Sequence, residues 1–120
     1  MKKCIYVLED NPGIRDIIEY LLIEEDYEVL TYGSASTFWQ QMNNFIPDMV
    51  ILDIMLPDGN GLEICNKLKS NAKTHNVPVM MMSANNHLSH VKSKCPAEEY
   101  INKPFDLNDF ANRIERYVHN

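Results

Sequence analysis

Five residues of this chain could act together on a phosphoryl group: the carboxylates of Glu9, Asp10 and Asp53, the hydroxyl of Ser83 and the ammonium of Lys103. Each follows directly on a short strand-like run. Three crowded carboxylates repel one another, and one stays protonated unless a cation joins them. A hard divalent cation solves this, and Mg²⁺ suits a few carboxylates together with waters and a phosphoryl oxygen. An aspartate held beside such a cation can act as a nucleophile and form an aspartyl phosphate. The metal and a lysine would neutralise charge on the transferring group, and a serine hydroxyl can donate to one of its oxygens. Taken singly, each residue has a plainer explanation. Glu9-Asp10 precede a helix start, where acids are favoured. Ser83 can cap a helix, Lys103-Pro104 can be a turn, and Asp53 can be an ordinary strand-end aspartate. Only a fold that brings all five to one edge makes them a site.

The chain supplies such a fold. Cys4–Leu8 is a short apolar run, read as a buried strand. Asn11 and Pro12 then cap and open a helix, on which Ile14, Ile17, Ile18, Leu21 and Leu22 repeat with helical spacing. Residues 27–31 make a second strand, and Ser34 caps a second helix with Ala35, Phe38, Trp39 and Met42 inward. Residues 49–52 make a third strand, Gly59-Asn60-Gly61 a turn, and Leu62, Cys65 and Leu68 mark a third helix. A fourth strand over 77–82 tolerates Pro78 near its start, and its methionines read as core filling. A weak helix over 86–93 and a strand over 99–102 follow. Asp106 and Asp109 then resemble a capping box, before a last helix with Leu107, Phe110, Ala111, Ile114 and Val118 inward.

Strict β-α alternation predicts an α/β fold with a parallel sheet and helices on both faces. The flavodoxin-like (βα)5 three-layer sandwich with strand order 2-1-3-4-5 is the natural arrangement, and ligands bind at its switch point between strands one and three. Glu9, Asp10 and Asp53 flank that point, with Ser83 and Lys103 on the far side. Residues 1–120 read as a single domain.

The totals agree. Hydrophobic residues make up 45% and charged residues 23%, as in an ordinary globular protein. No apolar run is long enough for a bilayer, and Glu9-Asp10 interrupt the first run too early for a signal peptide, so a cytoplasmic location is expected. The net charge of -6, with scattered lysines and arginines, argues against nucleic-acid binding by this domain. Cys4, Cys65 and Cys95 lack CxxC spacing and read as free thiols. His75, His87, His90 and His119 show no partner spacing and read as solvated surface.

At this point the chain strongly resembles the receiver domain of two-component response regulators over essentially its whole length. The motifs are Glu9-Asp10, DIMLPDGNG from Asp53, Ser83-Ala84, and EYINKPF ending at Phe105. The resemblance implies that Asp53 accepts phosphate from a sensor histidine kinase or a phosphotransfer protein. It implies Mg²⁺ (or Mn²⁺) held by Asp10, Asp53 and the Met55 backbone carbonyl, with Glu9 acting through water. It implies that Lys103 contacts the phosphoryl group, that the Lys103-Pro104 bond is cis, and that Ser83 and Tyr100 form the switch pair. Met55, Ala84 and Asn85 match positions beside the phosphoryl group. The switch would control a downstream output domain or protein; dimerisation stays open. On this reading the chain is a phosphoacceptor and no enzyme beyond its own phosphoryl transfer and autodephosphorylation.

Two features depart from the family. Lys103 follows Ser83 by 20 residues, a slightly short interval, and the usual Gly-Ala before the acidic pair is Pro96-Ala97. Residues 86–93 are poor helix formers, so a short, displaced or poorly ordered helix is expected there. The main rival is a pseudo-receiver that binds a partner without phosphorylation. A haloacid-dehalogenase-like phosphatase needs a second aspartate where Met55 stands, and a flavin-binding loop would not be as acidic as EDNPG.

Overall fold

The computed structural model describes residues 2–84 and 95–119. Five parallel strands, β1 (Cys4–Leu8), β2 (Glu28–Tyr32), β3 (Met49–Asp53), β6 (Val79–Ser83) and β7 (Glu99–Asn102), form one sheet of order β2-β1-β3-β6-β7. This is the expected flavodoxin-like order. Between β3 and β6 lies a small antiparallel ribbon, β4 (Met55–Leu56) with β5 (Gly59–Asn60), which sequence reading took as a plain turn.

Among the described residues the helices are α1 (Pro12–Glu24), α2 (Ala35–Met42), α3 (Gly61–Ser70) and α4 (Leu107–Glu115). Each begins where a side chain can accept an orphan N–H of the first turn. Asn11 accepts from the Ile14 N–H and Ser34 from the Thr37 N–H. Asn60 accepts from the Leu62 N–H and Asp106 from the Asp109 N–H. The weak helix over 86–93 falls outside the described residues, as do Asn85, His87 and His90; His75 and His119 are exposed.

Strand periodicity divides the core in two, because successive side chains point to opposite faces. Tyr6, Leu8, Val50, Leu52, Val79 and Met81 pack with Phe38, Met42, Ile64 and Leu68 of α2 and α3. Ile5, Val7, Met49, Ile51, Met80 and Met82 pack with Ile18, Leu22, Phe110 and Ile114 of α1 and α4. β1, β3 and β6 are buried throughout. The three methionines are core, as expected.

Four details correct the sequence reading. Asp53 is itself the last residue of β3, so strand pairing fixes its backbone. β6 begins at Val79 because Pro78 has no N–H and contributes only its carbonyl, which accepts from the Val50 N–H. Ile17, counted in the apolar stripe of α1, and Leu107, read as inward, are 53% and 46% exposed. Finally, Cys65 and Cys95 are not free thiols but a disulfide, with Cα atoms 6.5 Å apart; Cys4 alone is free. A 30-residue separation carries no motif, so only the packing of α3 against the turn before β7 could reveal the pair.

Candidate functional site

The carboxyl ends of β1, β3, β6 and β7 open into one cleft of about 650 Å³, lined among others by Glu9, Asp10, Asp53, Met55, Ala84 and Lys103. Glu9 follows β1 directly. Its N–H donates to the Tyr32 carbonyl at 3.0 Å, which extends the sheet by one bond. Arg15 Nη1 donates to the Glu9 carbonyl at 2.9 Å, and the Asn11 N–H donates to Glu9 Oε2 at 3.1 Å. The Glu9 side chain is thereby fully buried, whereas Asp10 next to it is exposed.

Asp53 is 5% exposed. The ladder continues past it through the Ile54 N–H, which donates to the Met82 carbonyl at 3.0 Å. The Met55 N–H donates to Asp53 Oδ1 at 3.2 Å. The turn folds back so tightly that a Cβ on Gly61 would lie 2.1 Å from the Asp53 carbonyl oxygen, closer than any side chain tolerates. Glycine is therefore required there for a close backbone approach. Asp58, at the tip of this loop, accepts from the Ala35 N–H at 2.8 Å and the Ser36 N–H at 3.2 Å, which docks the loop on the start of α2. Those N–H groups, the Ala35 one first, hold the Asp58 carboxyl below its usual range.

Lys103 enters from the far side. Its N–H donates to the Ser83 carbonyl at 2.7 Å, one residue beyond β7. The Lys103-Pro104 bond is cis, and Phe105 stacks on Phe110 with ring centres 4.5 Å apart. The Lys103 ammonium donates to Asp53 Oδ2 at 2.7 Å and also to Glu9 Oε1. Burial alone would lower its pKa, but the Asp53 and Glu9 carboxylates outweigh that and raise it. Burial pushes the Glu9 carboxyl up to about 7, with Asp53 adding to the rise, while Lys103 and the Asn11 N–H pull against it.

Oxygen atoms of Glu9, Asp10 and Asp53 lie within 4.8 Å of one another. One ammonium facing three carboxylates leaves the cluster negative, and all donors are hard oxygens. That donor set and its residual charge fit a small divalent cation such as Mg²⁺. A bound cation would also keep Glu9 ionised.

The fold thus brings together Glu9, Asp10, Asp53, Met55, Ala84 and Lys103. Ser83 ends β6 beside them and is buried. Tyr100 stands three residues before Lys103, half-buried, its hydroxyl bonded to the turn that precedes β7. Sequence reading missed Arg15, Gly61 and Asp58. Gly61 was legible as a turn residue but not as the neighbour of the Asp53 carbonyl, and the contacts of Arg15 and Asp58 leave no spacing signal.

Residues 5–115 match the response regulator receiver domain. Among curated proteins, the chain is 35% identical over 114 residues to the DNA-binding transcriptional regulator NtrC of Azospirillum brasilense, covering 93% of the chain and 23% of that protein. It is 32% identical to the phosphate regulon regulator PhoB of Klebsiella pneumoniae, over 96% of the chain and 51% of PhoB. It is 30% identical to histidine kinase P4 of Formosa agariphila, over 99% of the chain and 9% of the kinase. The chain therefore spans about half or less of these relatives. Among solved structures, TrrA of Thermotoga maritima, in complex with Mg²⁺ and BeF, superposes with a TM-score of 0.87 at 28% identity, covering 98% of this chain and 100% of TrrA. The receiver domain of sensor kinase PA1611 from Pseudomonas aeruginosa, with magnesium in its cleft, shares the fold at a TM-score of 0.85 and 22% identity, covering 98% of each chain. The strand order, the acid cluster at the switch point and the match over 5–115 agree: the chain belongs to the receiver domain family of two-component response regulators.

Proposed function

We propose that this chain is a phosphoacceptor switch in which Asp53 takes a phosphoryl group from a phosphohistidine donor. The observation that carries this reading is the 2.7 Å contact between the Lys103 ammonium and Asp53 Oδ2 at the floor of an acid-lined cleft. An Asp53 carboxylate oxygen forms the new bond to phosphorus as the donor's P–N bond breaks, and the imidazole leaves. Lys103 then exchanges its contact with the carboxylate for one with a phosphoryl oxygen. Mg²⁺, held by Asp10, Asp53 and the Met55 carbonyl with Glu9 in support, would supply positive charge to the transferring oxygens. Ser83, at the end of β6, would donate its hydroxyl to the phosphoryl group, and Tyr100 would respond to that movement.

A phosphoryl group adds up to about two negative charges and three acceptor oxygens. A state in which Ser83 and Lys103 both reach them is favoured over one in which they do not. The donor would be a sensor histidine kinase or a phosphotransfer protein, and the receiver of the signal an output domain or protein. Histidine kinase and transcriptional regulator are the names of its relatives. No catalysis is assigned beyond the chain's own phosphorylation and dephosphorylation, because Met55, 73% exposed, stands where a phosphatase of the dehalogenase type needs its second aspartate.

Incubation with acetyl phosphate and Mg²⁺, followed by intact mass, tests the reading. Wild type should gain one phosphoryl group and Asp53→Asn none. An unlabelled wild type, or labelling that survives Asp53→Asn, would favour a phosphorylation-independent interaction module.

A further inference from the structure

We propose that Cys65 and Cys95 are a reversible oxidation site whose disulfide restrains Tyr100 and so sets how readily Asp53 is phosphorylated; the last step rests on the function proposed above. Cys65 lies on α3 and Cys95 opens the turn into β7, and both are buried. Their Cα separation of 6.5 Å lies within the span a disulfide bridges without backbone movement. The same turn holds the switch tyrosine. The Tyr100 hydroxyl donates to the Cys95 carbonyl and accepts from the Ala97 N–H at 3.1 Å. These two hydroxyl contacts go to a turn that the disulfide ties to α3. Along the chain, Tyr100 is three residues from Lys103, whose N–H is bonded to the Ser83 carbonyl. Cys4 provides an internal contrast: burial, with Glu28 and Asp48 nearby, pushes its thiol up to about 11, so it stays protonated and unreactive.

Oxidation needs a low-molecular-weight disulfide as co-reactant. The Cys95 thiolate, in the turn, attacks one sulfur of that disulfide, whose S–S bond breaks and releases one small thiol. The Cys65 thiolate then attacks the Cys95 sulfur of the mixed disulfide and releases the second. The two cysteines lose two protons and two electrons, and the small disulfide gains both. Because both sulfurs are buried, opening of the turn controls the rate. In a reducing compartment a cysteine pair of this kind is more often a redox-responsive element than a permanent staple.

The closed disulfide removes freedom from the turn and keeps the Cys95 carbonyl and the Ala97 N–H in place for Tyr100. Any rearrangement of Tyr100 that accompanies phosphorylation must break those bonds, so it costs more in the oxidised form. Coupling is reciprocal, and the reduced protein is the better phosphoacceptor.

The test compares wild type equilibrated with oxidised glutathione and with excess dithiothreitol. Alkylation and intact mass count the free thiols: one in the oxidised form, three in the reduced. At fixed acetyl phosphate and Mg²⁺, half-maximal phosphorylation should need about fivefold more acetyl phosphate in the oxidised form, the lower end of typical allosteric coupling. Cys65→Ser and Cys95→Ser should each erase that difference, as should Tyr100→Phe. The Tyr100 ring signal in NMR should differ between the two wild-type forms. Failure of the Cys65–Cys95 link to form at any glutathione ratio overturns the proposal. So does a link that leaves both phosphorylation and the Tyr100 signal unchanged. If neither form is phosphorylated, the function proposed above fails, and the Tyr100 signal alone decides whether the oxidation site acts on the ring.

Discussion

Lys103 Nζ stands 2.7 Å from Asp53 Oδ2, joining residues 50 positions apart, and the same ammonium also reaches the fully buried Glu9. This one cation holds two carboxylates together at the ends of two neighbouring strands. Replacing it should therefore act on stability as well as on chemistry.

Lys103→Met leaves the Glu9 and Asp53 carboxyls facing each other without a counter-charge. Removing one partner of a buried ion pair typically costs about 3 kcal/mol or more, and Glu9 can recover part of that by taking up a proton. We expect a clear fall in the urea midpoint at neutral pH without Mg²⁺. In the Asp53→Asn background the same substitution should cost markedly less, since one of the two stranded charges is gone. Equal losses in the two backgrounds would mean that the pair contributes nothing to folding. Phosphorylation by acetyl phosphate should fall by orders of magnitude in Lys103→Met.

Gly61→Ala tests the backbone contact under Asp53. The new Cβ would sit 2.1 Å from the Asp53 carbonyl oxygen, so either α3 or the end of β3 must move. Overpacking of this kind costs about 1–3 kcal/mol, and here the displaced atom belongs to the candidate phosphoacceptor. Gly59→Ala is the control, because its nearest neighbour would be the Ala35 Cβ at an ordinary 3.7 Å. Thermal unfolding and phosphorylation should both separate the two variants; similar behaviour would show that the turn adapts freely.

Asp58→Ala removes the acceptor of the Ala35 and Ser36 N–H groups and frees the loop after Asp53 from α2. The folded-state pKa of Asp58 is lowered, chiefly by the Ala35 N–H. Its contribution is therefore present above the ordinary aspartate pKa of about 3.9 and is lost as pH falls through the depressed folded value. The stability gap between wild type and Asp58→Ala should be constant from pH 7 to about pH 5 and close under more acid conditions. A gap unchanged at low pH would assign the effect to packing rather than charge.

The elements that strand periodicity and caps determine were legible in the sequence. Asn11, Ser34 and Asp106 cap helices as read, and the sheet order follows from β-α alternation. That Glu9, Asp10, Asp53 and Lys103 line one cleft was legible because parallel strands bring their carboxyl ends to one edge. Ile17 and Leu107 misled because helical spacing fixes a stripe but not how much of it the neighbouring layer covers. The Cys65–Cys95 pair and the Gly61 approach to Asp53 depend on how α3 settles against two different segments, which no local pattern records.

Divalent metal supplies the remaining prediction, and it needs no phosphorylation. A cation that binds the folded chain and not the unfolded one raises stability with its concentration relative to Kd. The acids of Glu9, Asp10 and Asp53 are the only group of three candidate ligands among the described residues, with oxygens within 4.8 Å. Mg²⁺ should therefore raise the melting temperature of wild type progressively with its concentration relative to Kd, by about ten degrees at about a hundred times Kd. Asp10 is exposed and its side chain makes no hydrogen bond or ion pair among the described residues, so Asp10→Ala should melt near wild type without Mg²⁺ yet lose most of the Mg²⁺-dependent rise. Asp53→Asn should lose it as well, whereas Asp58→Ala, outside the cluster, should keep it. A rise of equal size in Asp10→Ala and wild type would place the cation elsewhere and remove the metal from the proposed phosphoryl transfer.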